Sequence, residues 1–427
     1  MNVAVLGGGF SGLYAAHRLA GRARVEVFEA SSAPGGLAGP GADGGGFDRY
    51  YHFICRTDGA YLALLDELGL KGRLAFRRVR TGQFCDDRLH PFSTPLDLLG
   101  FSPVRLPDRL RFVLGTFAAR NRKEWLDLDR VPARRWLEQT FGRKGYDVIW
   151  APLLRAKFGP EAEEVSAAWI WHRIHRVTRS RRVPWARESF AALHPGTAVA
   201  LEALAGRLEA RGGRLRLSAP VERIAPVDGR WTLWSGGEAF GPYDALLSTL
   251  PLPVLGQAVE AAEPALAARL GAFKYLAVRC AVLRLKRPAS PYFWINVNDP
   301  RVPFAGVIEL SHLHPPGPFR LVYLPAYLAP DDPLARMPQE EFLARCLEPL
   351  PRILDGFDPG GMIEARVFGD RYAQPVCTVG TGAALPPIAL LPGLFAFDSF
   401  HLYPEDRTLN GMIGVADRAV AALAGDQ

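Results

Sequence analysis

Gly7, Gly9 and Gly12 stand in G-x-G-x-x-G spacing directly after the apolar run Val3-Ala4-Val5-Leu6, and Glu29 closes a second run, Val25-Glu26-Val27-Phe28. Those residue types at that spacing can hold the diphosphate of a dinucleotide. Gly7 allows the tight turn off the strand, Gly9 lets the backbone approach a pyrophosphate, and Gly12 lets the following helix lie close to the sheet. The helix opened by Phe10 and Ser11 would face the phosphates with its free N–H groups and positive dipole end, and Ser11 could add a hydroxyl. Glu29, followed by Ala30, sits at the tip of the second strand, placed to accept from both hydroxyls of an adenosine ribose. An arginine there would have suited a 2′-phosphate, so the motif points to FAD or NAD over NADP.

The elements that must position these residues form a strand–helix–strand unit over Asn2–Glu29. At 427 residues and 48% hydrophobic composition, the chain can bury a large core and has the length of two or three domains. A net charge of +7 leans toward anionic partners, yet no nucleic-acid-binding motif is present. The five cysteines, Cys55, Cys85, Cys280, Cys346 and Cys377, are scattered without a C-x-x-C pair. They suggest neither a disulfide framework nor a zinc site, and a reducing cytoplasm fits them. With the first strand expected from residue 3, no signal peptide is expected. The longest uncharged stretch, Tyr372 to Phe397, is broken by Pro375, Pro386, Pro387 and Pro392 and is expected as loop plus strand, not a membrane span.

Past Glu29 come Gly35-Gly36-Leu37, a glycine-rich connection, Gly46-Phe47-Asp48, and a helix ending Glu67-Leu68-Gly69-Leu70. This order resembles the flavin-containing amine oxidase superfamily, which includes protoporphyrinogen oxidases, phytoene desaturase-like enzymes and, more distantly, UDP-galactopyranose mutase. The resemblance implies that the backbone of Gly35, Gly36 and Leu37 runs beside the pyrophosphate and ribityl chain, that the main chain at Val221 meets the adenine, and that the cofactor is FAD. In the amine oxidases proper of that superfamily a lysine sits near the flavin in the strand corresponding to Arg279-Cys280-Ala281-Val282. Cys280 stands there instead and Lys274 lies before the strand, which leans away from amine oxidation toward desaturase-like chemistry.

Near the C-terminus, Leu394 to Asp398 reads as a strand ending in an acid, and Asn410-Gly411-Met412-Ile413 opens a helix. Asp398 can accept from ribityl or phosphate-side groups, and a glycine-led helix start can face the flavin oxygen where negative charge gathers on reduction. The resemblance places the second FAD motif at these positions.

The expected fold is α/β: a Rossmann-like FAD-binding domain from 1–80, 190–270 and 385–427, with a mixed α+β substrate domain built from two insertions. The first insertion, 81–189, reads as mostly helical, and the second, 271–384, as β-rich. Trp169 to Arg187 carries Arg173, Arg176, Arg179, Arg181, Arg182 and Arg187 with no acidic residue. It reads as a solvated helix face with core tryptophans, or as a holder of an acidic head group or of anionic lipid. That leaves a peripheral contact with the inner face of a membrane open. His172 and His175, like His312 and His314, lack the further ligands a metal needs, and the second pair is expected as ordinary surface residues of one strand.

The implied chemistry is hydride removal from a C–H bond of a small amphipathic or anionic molecule, such as a prenyl, polyene or tetrapyrrole compound. A redox-neutral flavin-dependent isomerase and a non-catalytic flavin-binding protein are the rivals. Phe47, Tyr50, Tyr51 and His52 on one side and His401, Tyr403 and Arg407 on the other are expected to line the cleft. His52 and His401 are the candidates to exchange a proton, or are structural hydrogen-bond donors instead.

Overall fold

The computed structural model describes residues 1–41, 46–179, 181, 183 and 185–425. Arg182 and part of the glycine-rich connection after Leu37 lie outside them.

β1 (Asn2–Leu6) is apolar at four positions and buried along almost its whole length, as a strand covered on both faces must be. The chain continues through α1 (Phe10–Leu19) to β2 (Arg24–Phe28), which pairs parallel to β1 with Val3 opposite Val25. α2 (Gly59–Glu67) follows. β3 (Thr81–Cys85) and β4 (Arg88–Pro91) then open the first insertion, expected as mostly helical, with a hairpin. Thr81, Gln83 and the partners they find in a distant sheet explain the difference: β3 pairs parallel with a strand more than 200 residues later, a contact that local pattern does not contain. The helices that follow are α3 (Leu106–Asn121), α4 (Ala133–Phe141), α5 (Ala151–Phe158) and α6 (Ala167–Arg179). After α7 (Ala198–Ala210) come β5 (Arg214–Arg216) and the antiparallel trio β6 (Arg223–Val227), β7 (Arg230–Ser235) and β8 (Glu238–Tyr243). β9 (Ala245–Ser248) closes this part.

The second insertion supplies β10 (Tyr275–Leu285), β11 (Trp294–Val297), β12 (Gly306–Glu309), β13 (Arg320–Leu328) and β14 (Met362–Pro375). β15 (Ala389–Leu391), β16 (Leu394–Ala396) and α8 (Leu409–Ala424) end the chain.

Two large sheets result. The first has order β15-β16-β9-β1-β2-β5, parallel except for β15. Alternation along β1 divides its core: Val3 and Val5 face α1, α7 and α8, while Ala4 and Leu6 face the β6–β8 sheet, whose Phe240 ring meets Phe28 at 5.3 Å. The second sheet has order β14-β10-β13-β12-β11-β3-β4, antiparallel except at β11–β3. Its central β10 is buried almost throughout. α5 lies against β13, so the helices of the first insertion roof the space between the two sheets. His312 and His314 belong to a short turn instead of a strand, and His314 is buried with its ring 5.3 Å from that of His194. It is therefore not a surface residue; burial first, then His194, pushes its imidazole down to about 4.

Candidate active site

The three motif glycines are needed for different reasons. Gly7 has φ +102°, which an L side chain rarely adopts, and a Cβ on Gly12 would lie 1.9 Å from the Gly7 carbonyl oxygen. The chain itself therefore demands glycine at both. At Gly9 a Cβ would meet only ordinary contacts, the nearest at 3.8 Å, and φ is −68°. Nothing in the protein requires glycine there, yet the residue faces a cavity, so the demand comes from a group outside the chain. Gly9 caps α1 without a side chain and no acid sits in the first turn, which leaves the leading N–H groups of the helix to a diphosphate. Across the cradle, Gly35 bridges to Gly9 at φ +132°, and its Cβ would lie 2.5 Å from Gly39 Cα. Such a backbone-lined cradle fits FAD.

Glu29 is buried beside it. Its Oε2 accepts from the Gly8 N–H at 2.7 Å and its Oε1 from the Ser31 N–H at 2.8 Å. The carboxylate is thus aimed before any ligand arrives, with lone pairs left for ribose hydroxyls. Asp398 holds the opposite end. It accepts from the N–H groups of Phe400 (2.9 Å) and Leu252 (3.2 Å) and from the Tyr275 hydroxyl, tying the tip of β16 to β10.

A cavity of about 830 Å³ connects these parts. Among the expected cofactor residues, Gly7, Gly9, Phe10, Ser11, Glu29, Gly35, Gly36, Leu37, Asp398, Asn410 and Met412 line it. Gly12, Ala30, Val221, Gly411 and Ile413 are not in the lining. Ala30 is exposed and Ile413 lies in the core. Gly411 sits where a Cβ would come 2.7 Å from Leu402 Cδ2, so close packing under the start of α8 explains it.

Of the expected cleft residues, Tyr50, Tyr51, His52 and Arg407 line the cavity, whereas Phe47, His401 and Tyr403 do not. His401 Nδ1 accepts from the Asp398 N–H at 3.2 Å, completing a capping box over Ser399–Leu402. Tyr403 points to the helical insertion, where its hydroxyl donates to Asp129 and meets Ser166 Oγ at 2.6 Å. Burial, aided by Asp129, pushes that phenol well above its ordinary value. Both are structural ties, which corrects the expectation that they face substrate.

The chamber beyond the cradle is walled by Tyr51, Trp294 and Tyr327; Tyr51 meets the Trp294 ring edge-on at 5.2 Å, and its hydroxyl lies 3.3 Å from that of Tyr327. Two cations contact the carboxylate of Asp406 and a third acts on it through its charge. Arg173 donates to Asp406 Oδ2 at 2.6 Å, Lys157 Nζ lies 3.4 Å from the same oxygen, and Arg407 adds its charge while its Nε reaches the neutral Gln374 at 3.3 Å. Arg176 is matched separately by Asp58 at 2.9 Å. Burial would raise the Asp406 carboxyl, but Lys157, Arg173 and Arg407 outweigh it and hold it well below the carboxylate range. Lys157 itself is buried over the Trp169 ring, with Nζ 4.6 Å from its centroid. Burial is the main cause that draws its ammonium down to about 7; Asp406 opposes this, and Arg173 and Arg407 assist it.

Lys157 and Asp406 are the site residues that sequence reasoning missed. A signal was available for the lysine: Ala151, Leu154, Lys157 and Phe158 fall on one face of α5, and a cation on an apolar stripe needs a buried partner. Arg173 and Arg176 lay within the basic stretch, and the structure turns both into the cavity. Cys280 is buried outside the lining, burial pushing its thiol well up, and Lys274 is at the surface, 3.0 Å from Glu161. Among the described residues no group of side chains is arranged to hold a metal, and His172 is held down to about 4, by burial and then by Arg176 and His175.

The sequence matches the family model of flavin containing amine oxidoreductases over residues 10–395. A comparison with curated protein sequences gives no match. Among solved structures the fold is similar to a protein from Exiguobacterium sp. 255-15 provisionally described as a protoporphyrinogen oxidase, with TM-score 0.76 and 17% identity over 100% of this chain and 99% of that one. It is similar also to a reduced UDP-galactopyranose mutase, with TM-score 0.77 and 16% identity over 99% and 95%. A redesigned putrescine oxidase gives TM-score 0.71 and 15% identity over 100% and 99%. With the family model spanning most of the chain, and a glycine cradle that fits its cofactor, this protein belongs to the flavin containing amine oxidoreductase family and is an FAD-dependent oxidoreductase.

Proposed function

We propose that the protein oxidises a C–H bond of an amphipathic molecule carrying an anionic group. The observation that carries this reading is the three-cation cluster of Lys157, Arg173 and Arg407 around one carboxylate, at the inner end of an aromatic chamber that opens from the cofactor cradle. Bound FAD supplies the hydride acceptor. The residues of the chain do the rest. Arg173 and Arg407 hold the anionic group with planar, always charged donors. Tyr51, Trp294 and Tyr327 press on the apolar body and exclude water. Lys157 Nζ, drawn down to about 7, can take or return a proton near neutral pH. A small primary amine would leave the aromatic walls unfilled and bring a cation to a site already rich in them.

Anaerobic mixing with a panel of amines, isoprenoid acids, porphyrinogens and nucleotide sugars tests the reading. Bleaching of the flavin by an amphipathic anion is expected; bleaching by small primary amines alone would overturn it. The same cations suit a sugar nucleotide diphosphate, which favours a redox-neutral isomerase as the second reading. Turnover that appears only after the flavin is reduced, with no net electron transfer, would select it.

A further inference from the structure

α3 has two faces with opposite uses. Phe112, Gly115 and Ala119 are buried against the other helices, and Val113, Thr116, Phe117 and Arg120 reach the cavity. On the outer side Leu106, Leu110 and Leu114 recur every fourth residue at 57%, 50% and 69% exposure, and Phe117 continues the line at 36%. Positions so spaced lie above one another on a helix surface, so the four side chains make a single apolar ridge. Phe117 belongs to both faces: it lines the cavity and is exposed to solvent, so the cavity mouth opens at the end of the ridge. Leu96, in the short helix Pro95–Leu99 before α3, and Trp185, after α6, are 77% and 71% exposed.

Cations outnumber acids around this ridge: over residues 105–124 Arg105, Arg109, Arg111, Arg120, Arg122 and Lys123 stand against Asp108 and Glu124. Arg105, Arg111 and Lys123 are exposed on or beside α3, and Arg179 and Arg187 are exposed at the end of α6 and after it. Arg109, Arg111 and Arg120 donate to backbone carbonyl oxygens of Leu99, Gln139 and Thr178, so no carboxylate cancels their charge in those bonds. Exposed leucines and a tryptophan among an excess of arginines form the pattern of a helix that lies in a lipid interface, apolar side chains in the acyl boundary and cations at anionic head groups. A second copy of this chain would bring like charges together, and a soluble acidic protein would leave the leucines half satisfied.

We infer that α3 docks the protein on an anionic lipid surface and that its apolar ridge delivers substrate from the leaflet into the cavity mouth at Phe117. The delivery half rests on the amphipathic-anion reading above; the docking half does not. It assigns the exposed leucines a purpose that catalysis by itself does not need.

Sedimentation of the FAD-loaded protein with vesicles tests it. Equal parts of phosphatidylglycerol and phosphatidylcholine should carry the protein down, pure phosphatidylcholine should carry much less, and binding should fall as salt rises. The pair Leu110→Gln and Leu114→Gln should weaken binding by roughly tenfold or more while flavin retention and Tm hold. Absence of binding to the anionic vesicles, or binding untouched by the pair, overturns the inference. A concentration-dependent dimer that the pair abolishes, in place of vesicle binding, also overturns it and gives the ridge to a second copy. The two readings fail separately: flavin bleaching by a dissolved amphipathic anion without vesicle binding removes the docking, and vesicle binding without bleaching by any such anion removes the substrate class.

Discussion

The cofactor cradle and the substrate chamber share one cavity but are made of different material. The cradle is backbone: Gly7, Gly9, Gly35 and Gly36 with a helix start, and its carboxylates Glu29 and Asp398 hold N–H groups more than they hold each other's environment. The chamber is side chain: aromatic walls and the cluster of Lys157, Arg173 and Arg407 on Asp406, brought from α5, α6 and the segment before α8. Where the turn and the helix pack closest, at Gly7, Gly12 and Gly35, the backbone cradle tolerates no added side chain, whereas a side-chain cluster tolerates changes of shape but not of charge balance. The two regions should therefore break differently.

The largest effect is expected in the cradle. Gly12→Val drives a side chain into the Gly7 carbonyl and should cost about 3 kcal/mol or more, with loss of bound flavin, read from absorbance after purification and from a fall in Tm. If Gly12→Val keeps flavin and stability, the close packing of helix on turn does not govern the cradle.

In the chamber, Asp406→Asn leaves the buried Lys157 and the half-buried Arg173 without their carboxylate. A loss of about 3–5 kcal/mol is expected in chemical denaturation, with flavin binding in the folded fraction little changed. Equal loss of flavin affinity and stability would erase the distinction between the regions.

A pH series separates the chamber further. Folded Lys157 releases its proton near 7, whereas in the unfolded chain a lysine holds it to about 10.4. Between those values the unfolded chain binds more protons, so the contribution of this group to stability rises with pH. Lys157→Met should remove that rise. Affinity for an anionic ligand runs the other way, falling as pH climbs through about 7 while the ammonium is lost, and Lys157→Met should flatten this too; titration calorimetry at pH 6 and 8 checks it.

Two smaller effects sharpen the comparison. Glu29→Gln keeps the shape but weakens charge-assisted bonds to N–H groups and ribose, and should lower FAD affinity by about 1–2 kcal/mol, measured by fluorescence titration of the apoprotein. His401→Ala removes a capping bond outside the cavity; it should leave the rate of flavin reduction within about twofold while costing roughly 1 kcal/mol of stability.

Most of the cradle was legible because glycine spacing, strand runs and an acid at a strand tip are local facts. Val3 to Glu29 carries its own geometry, and the bends at Gly7 and Gly35 leave a mark in composition that no packing partner is needed to read. The same local logic found the acid Asp398 and the start of α8. It misplaced His401 and Tyr403 because sequence position between two cofactor motifs says nothing of side-chain direction: one turned back to cap its own short helix and the other toward Asp129.

What the sequence by itself determined is the dinucleotide unit, the parallel sheet around β1 and the presence of a second, intervening architecture, since each follows from residues near one another in the chain. Tertiary structure decided the rest. The β3–β4 hairpin became sheet through pairing with β11, and three cations became one site through the meeting of Lys157, Arg173 and Arg407 at Asp406. Likewise the ridge of α3 became a cavity mouth through the placement of Phe117. Those outcomes depend on burial and on charges many residues apart, and burial is a property of the folded chain that no single stretch of it contains.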